Sequence, residues 1–165
     1  MGIPIFEAMK VKFVCIGKTG KDFLLQGEQE YLNRLKHYVA IERVELPDLK
    51  NASKLSKEQI KEQEGKELLS KIQGADVLVL LDERGKELSS VQFADFIQQR
   101  FNSGAKNLVF FVGGAYGFSH EVYDRSNFKI SLSKMTFSHQ MVRLFFAEQF
   151  YRAFTIINGE KYHHV

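Results

Sequence analysis

The chain has 165 residues, 44% of them hydrophobic, with 23 Lys and Arg against 20 Asp and Glu for a formal net charge of +3. That length suits one domain with a real core, and no apolar run reaches the roughly 18 to 20 residues of a membrane span, so disorder and membrane insertion are set aside. The lone cysteine, Cys15, supports no disulfide framework and no basic-then-apolar leader opens the chain, which makes the cytoplasm the expected location.

Residues 1–8 (MGIPIFEA) precede a second methionine, Met9, and fit no element; they are read as a tag or other extension, with 9–165 as the single domain. Residues 11–16 (VKFVCI) and 39–46 (VAIERVEL) are short β-branched apolar runs ended by Gly17 and Pro47, and both predict strands. Between them, 22–38 predicts a helix with Asp22 as N-cap and Leu24, Glu28, Tyr31, Leu35 and Tyr38 along one face. Residues 56–72 are charge-rich behind the cap Ser56, with Ile60, Leu68, Leu69 and Ile72 as the few apolar anchors of a solvated surface helix.

The run 77–81 (VLVLL) is apolar on both faces, as a central parallel strand covered by helices must be, and a polar turn is expected after it. Ser89 and Gln92 hold capping-box spacing before a helix over 90–103, whose apolar set is Val91, Phe93, Phe96, Ile97 and Phe101, with Gly104 beyond its end. A second buried strand at 108–112 (LVFFV), a short helix from Ser119, a strand at 128–132 and a long helix from about Ser138 to Ile157 complete the series. Such alternation predicts a single-domain α/β fold, a mostly parallel sheet with helices on both faces.

Four features carry chemistry or contact. GGAYG at 113–117 lies between a strand's carboxyl end and the cap Ser119, where open α/β sheets bind ligands and glycines expose backbone. It lacks the G-x-G-x-x-G spacing of dinucleotide sites, and no P-loop is present, so on its own the motif also fits a tight turn. SLSKMTFSHQMVR at 131–143 passes from a strand into the last helix, and His139 and Arg143, four apart, share a face there; a capping Ser138 with a locally paired Arg143 is the plainer alternative. The last helix has Val142, Phe145, Phe146, Phe150, Ala153, Phe154 and Ile157 on one broad face and Met141, Leu144, Ala147 and Tyr151 on another, which predicts burial against a second subunit. Glu148 and Arg152 pair within its remaining polar edge. The tail NGEKYHHV (158–165) brings Tyr162, His163 and His164 together, but adjacent histidines with one distant cysteine match no zinc spacing, and no metal is expected.

The charge surplus is local. Residues 1–105 balance 16 basic against 16 acidic side chains, while 106–165 carry 7 against 4. Ten of the fifteen phenylalanines and four of the five histidines also lie beyond position 100, so any site is expected there.

VCIGK (14–18), the spacing from EGKELLSKI (64–72) to LLDERGKELSS (80–90), FVGGAYG (111–117), LSKMTFSHQMVR (132–143), EQFYRAF (148–154) and the GEKYH ending (159–163) together resemble the ribosomal RNA large subunit methyltransferase H family of the knotted SPOUT superfamily, from about residue 9 to the end. The resemblance implies a C-terminal trefoil knot, which the general avoidance of threaded chains does not lead one to expect. It also implies transfer of a methyl group from S-adenosyl-L-methionine to N3 of a pseudouridine in helix 69 of 23S rRNA, on the assembled ribosome, by a homodimer. Carried over residue by residue, the family's cofactor contacts fall on Leu81, Gly113 and the segment Leu132, Ser133, Lys134, Met135, Thr136 and Phe137. The same resemblance makes His163, Tyr162 and Arg143 the catalytic candidates and sets His139 and Arg143 on the RNA-facing side.

The sulfonium methyl is already electrophilic, so the protein's expected tasks are alignment, exclusion of water and handling of the N3 proton. Ser138 stands where the family commonly has proline, and His164 where it often has Lys or Arg. A non-catalytic, dimeric RNA- or ribosome-binding module on the same fold is the alternative function.

Overall fold

The structure is a computed structural model that describes residues 9–164; the extension expected at 1–8 lies outside them. Five parallel strands form one sheet in the order β2-β1-β4-β3-β5, where β1 is Lys10–Ile16, β2 Ala40–Leu46, β3 Val77–Glu87, β4 Asn107–Val112 and β5 Phe128–Ser131. Strands of this kind need helical crossovers, and α1 (Asp22–Leu35), α2 (Lys57–Ser70), α3 (Ser90–Asn102), α4 (His120–Arg125) and α5 (Met141–Ile157) supply them.

Alternation along the strands divides the interior into two cores. Val11, Phe13 and Cys15 of β1 pack with Leu32 and Leu35 of α1, Phe93 and Ile97 of α3, and Phe146, Phe150 and Phe154 of α5. Val14 and Ile16 point to the other face, where Leu68 of α2 and Val122 of α4 cover them. Three helices therefore cover one face and two the other, which is why the inner strands read as unbroken apolar runs. Burial pushes the Cys15 thiol up to about 12, so it behaves as a core side chain.

The predicted Ser89–Gln92 capping box forms, and the cap Ser56 proves to be part of a second one. Ser56 Oγ accepts from Gln59 N at 3.1 Å and Gln59 Oε1 accepts from Ser56 N at 2.9 Å; Ser89 and Gln92 repeat the pattern at 3.1 and 2.8 Å. Each satisfies two amide donors and is worth about 1 kcal/mol. Asp22 is not a cap: the N-cap of α1 is Lys21, and Asp22 sits in the first turn, where its charge suits the helix dipole. Helix α5 starts at Met141 rather than Ser138, although Ser138 Oγ still accepts from Met141 N at 3.2 Å.

Two departures bear on the site. The polar stretch after Leu81 does not leave the sheet: β3 runs on to Glu87, and both Leu81 and Lys86 stand opposite Ile130 with 82–85 bulging between them. Gly85 permits this, because a Cβ there would lie 2.6 Å from the Ile130 nitrogen. The second departure concerns α5, which lies between α1 and α3 and buries Phe146, Phe150, Ala153 and Phe154 in its own chain. Its apolar width is thus largely absorbed by the fold, and of its phenylalanines only Phe145 is exposed, at 38%.

Candidate active site

The ends of β4 and β5 lie beside the 82–85 bulge of β3, and this bulge with the loops that leave β4 and β5 encloses a cleft of about 520 Å³. Its walls include Leu81 to Arg84, Val112 to Phe118, and Ser131 to His139 apart from Lys134. The glycine loop is held by local packing. A side chain on Gly113 would meet the Phe118 ring at 2.9 Å, Gly117 has φ +84°, and Gly117 N donates to Gly114 O at 3.2 Å. Without Cβ atoms the loop presents bare backbone to the cleft.

Behind Gly114 stands Glu64 of α2, a buried carboxylate whose oxygens lie 2.6 and 2.7 Å from where a Gly114 Cβ would be. Burial holds its pKa above the ordinary carboxylate range, partly offset by a hydrogen bond from the Gly114 backbone. Charge and spacing predict α2 as a solvated helix with four apolar anchors. Glu64 falls four residues from both Ile60 and Leu68, and that position on the apolar stripe was the available signal for its burial.

The second wall is the loop 131–138. Ser131 Oγ donates to Ser133 O at 2.8 Å, Met135 N donates to Ser133 Oγ at 2.9 Å, and Thr136 Oγ1 donates to Glu83 Oε2 at 3.2 Å, tying this loop to the β3 bulge. On the third side Tyr123 Oη donates to Asp82 Oδ2 at 2.7 Å, and burial and that carboxylate push the Tyr123 phenol up to about 12.

Of the sequence-based site residues, Leu81, Gly113, Leu132, Ser133, Met135, Thr136, Phe137 and His139 converge on this cleft. Lys134 is exposed on the same loop but forms no part of the wall. Burial and the nearby Arg143 hold the His139 imidazole below its ordinary pKa, so it is neutral at pH 7.

Arg143 is placed differently from its expected RNA-facing position. Its side chain is 1% exposed and donates to Gly17 O at 3.0 Å, to Thr19 Oγ1 at 3.1 Å and to Ile16 O at 2.5 Å. The same loop is held by Gln140, whose Oε1 accepts from Gly20 N at 3.0 Å, and by fully buried Glu28, which accepts from Thr19 Oγ1 at 2.7 Å and pairs with Arg43 at 3.4 Å. His139 lies in the turn before α5 and Arg143 within the helix, so the two do not share a helical face. The i, i+4 spacing put both near one face but did not reveal that carbonyls at the end of β1 would take the guanidinium.

Tyr162 and His163 form a separate cluster on the outer edge of α5. The Glu148–Arg152 pair expected from spacing is present, and the tail folds back onto it. Tyr162 Oη donates to Glu148 Oε1 at 3.1 Å, Arg152 lies 4.7 Å from the Tyr162 ring centroid, and Arg152 Nη1 lies 3.2 Å from His163 Nδ1. None of these four residues lines the cleft. Among the described residues no group of three or more His, Cys, Asp or Glu side chains is arranged to hold a metal ion, and no helix is long and apolar enough to cross a membrane.

A parallel α/β sheet with a cleft where its strand ends meet has the form of the ligand-binding α/β class, in which the surrounding loops set the function. A family model described as "Predicted SPOUT methyltransferase" matches residues 9–163, and the chain belongs to that family. The family implies the C-terminal trefoil knot. Similar curated proteins carry the name ribosomal RNA large subunit methyltransferase H: one from Christiangramia forsetii is 56% identical over 94% of this chain and 99% of its own length. Others from Parabacteroides distasonis and Cytophaga hutchinsonii are 52% and 53% identical over 94% of this chain and 99% and 100% of their own lengths.

Proposed function

We propose that this methyltransferase moves a methyl group from S-adenosyl-L-methionine to N3 of a pseudouridine in helix 69 of 23S rRNA, acting in the cytoplasm on the assembled ribosome. The observation that carries this is the convergence of Leu81, Gly113 and the 132–137 loop on a single cleft. The names of relatives about half identical along nearly the whole chain supply the rRNA substrate.

The cleft suits the cofactor. Its volume lies in the range of cofactor sites, and at Gly117 the glycine loop opens onto free space. Leu81, Gly113, Leu132, Ser133, Met135, Thr136 and Phe137 hold the group there, with Lys134 beside them on the same loop. When bound, it supplies an electrophilic sulfonium methyl and calls for no metal.

The residues of this chain handle the acceptor. The N3 proton passes to water as the N3–methyl bond forms and the sulfur–methyl bond breaks, the electron pair staying on sulfur, so negative charge develops on the uracil ring ahead of transfer. Tyr162 and His163 are the groups for that charge, and since they lie outside their own chain's cleft, the active unit is a homodimer in which the tail of one chain serves the cleft of the other. Arg152 has only donors, so His163 Nδ1 accepts from it and the neutral ring keeps its proton on Nε2. His163 therefore acts as a donor to the developing anion, with Tyr162 orienting Glu148 and Arg152 beside it. His139 faces the RNA at the cleft's edge, and Arg143 acts from behind by fixing the 16–19 turn. Sedimentation of the purified chain, with methyl transfer by a mixture of a tail variant and a cleft variant, tests the shared site: complementation supports it, and an active monomer contradicts it.

A further inference from the structure

The rim of the cleft carries an aromatic side chain that cofactor binding does not account for. Tyr116, in the glycine loop, is 47% exposed although it lines the cleft, beside Gly113 and Gly114. Exposure of a single ring is ordinary on a surface; what singles this one out is its place at the mouth of the cleft and the charge beside it. Its neighbour is an ammonium: Lys57 Nζ, at the start of α2, lies 5.4 Å from the ring centroid. Lys61, one turn further along α2, also lines the cleft, but its charge is balanced by Glu58 at 2.8 Å. Among the described residues Lys57 has no such carboxylate partner, so its charge is directed at the ring and the solvent before it.

An open ring beside an unneutralised cation matches one chemistry. Unstacked bases of RNA loops are held on aromatic faces while lysines take the adjoining phosphate, and such stacking tolerates any base because every base has a π-face. We propose that Tyr116 and Lys57 form an RNA contact at the cleft mouth, the ring stacking on an unpaired base of the rRNA loop and the ammonium meeting its phosphate. Tyr116 thereby acts as a determinant of substrate affinity at the open edge of the wall that Gly113 begins. This rests on the rRNA reading above.

Both roles are measurable with the full-length protein and ribosomes that lack the modification. Tyr116→Ala is expected to raise KM for ribosomes about tenfold. Its affinity for S-adenosylmethionine, measured by calorimetry, stays within about twofold of the parent's, which also reports that the loop is folded. Tyr116→Phe keeps the ring and restores KM. Lys57→Gln lowers the slope of log affinity against log salt by about one contact. A ribosome KM unchanged in Tyr116→Ala, or a loss of cofactor affinity as large as the rise in KM, overturns the proposal, the second result assigning the ring to the cofactor. A parent protein that methylates ribosomes while Tyr116→Ala matches it removes this contact alone, whereas a parent that leaves 23S rRNA unlabelled removes the underlying reading with it.

Discussion

Arg143 of α5 donates to the main-chain carbonyl of Gly17 at 3.0 Å across 126 residues of sequence, joining the start of the last helix to the end of the first strand. Among the described residues no carboxylate lies within ion-pair distance of it, and the buried cation is stabilised by carbonyl oxygens and the Thr19 hydroxyl. Such an arrangement fixes the geometry beside the cleft, because the chain from Ser138 to Arg143 leaves the cleft wall and ends in this clamp.

Replacing Arg143 by Met should therefore act on stability first. Losing its charge-assisted hydrogen bonds leaves buried carbonyls unpaired, and destabilisation of about 3 kcal/mol is expected. The shift in the denaturation midpoint measures it. A variant as stable as the parent but weak in RNA binding would return Arg143 to the RNA-facing role.

Glu64 gives a pH signature. Its folded pKa is raised by burial, so ionisation costs the folded state more than the unfolded chain, and this penalty is present in full above the folded pKa. The penalty shrinks as pH falls through the folded pKa and vanishes below the ordinary value of 4.5, where both states bind the proton. Glu64→Gln should thus gain most stability over the parent at neutral pH, the gap closing toward pH 4. A gap that widens in acid contradicts the assignment. Gly114→Ala, whose methyl would press on this carboxylate, is expected to weaken cofactor binding at least tenfold.

Phe150 and Phe145 separate folding from assembly. Phe150 is fully buried within one chain, so Phe150→Ala should cost about 3 to 5 kcal/mol of stability whatever the oligomeric state. Phe145 is exposed, and Phe145→Glu should leave the fold intact while weakening the homodimer. Sedimentation and thermal unfolding of both variants check this, and a dimeric Phe145→Glu protein places the interface elsewhere.

The donor role of His163 predicts an order of substitutions. The Gln side-chain amide reproduces the reach of Nε2, so His163→Gln should retain more methyl transfer than His163→Asn, and His163→Ala least, all with parental cofactor affinity. Equal loss in the three, or loss of cofactor binding, contradicts it.

The fold was legible because its elements are marked locally: the VLVLL and LVFFV runs, the Ser56 and Ser89 boxes and the apolar faces of α1 and α3 each announce themselves within a dozen residues. What escaped depends on distant partners. The DERGK stretch looks like a turn, and only the backbone of Ile130 against Gly85 makes it strand. The apolar width of α5 is legible locally, but that α1 and α3 take up most of it is not. The loops that meet at the cleft were marked by combined motifs, whereas Glu64 and Asp82 have ordinary surface residue types and take their places through contacts made elsewhere in the chain.

The most direct test is to incubate the full-length protein with methyl-labelled S-adenosylmethionine and assembled ribosomes lacking the modification, then map the label. The account predicts label in 23S rRNA, at N3 of a pseudouridine in helix 69. No incorporation, or label confined to 16S rRNA or protein, contradicts it.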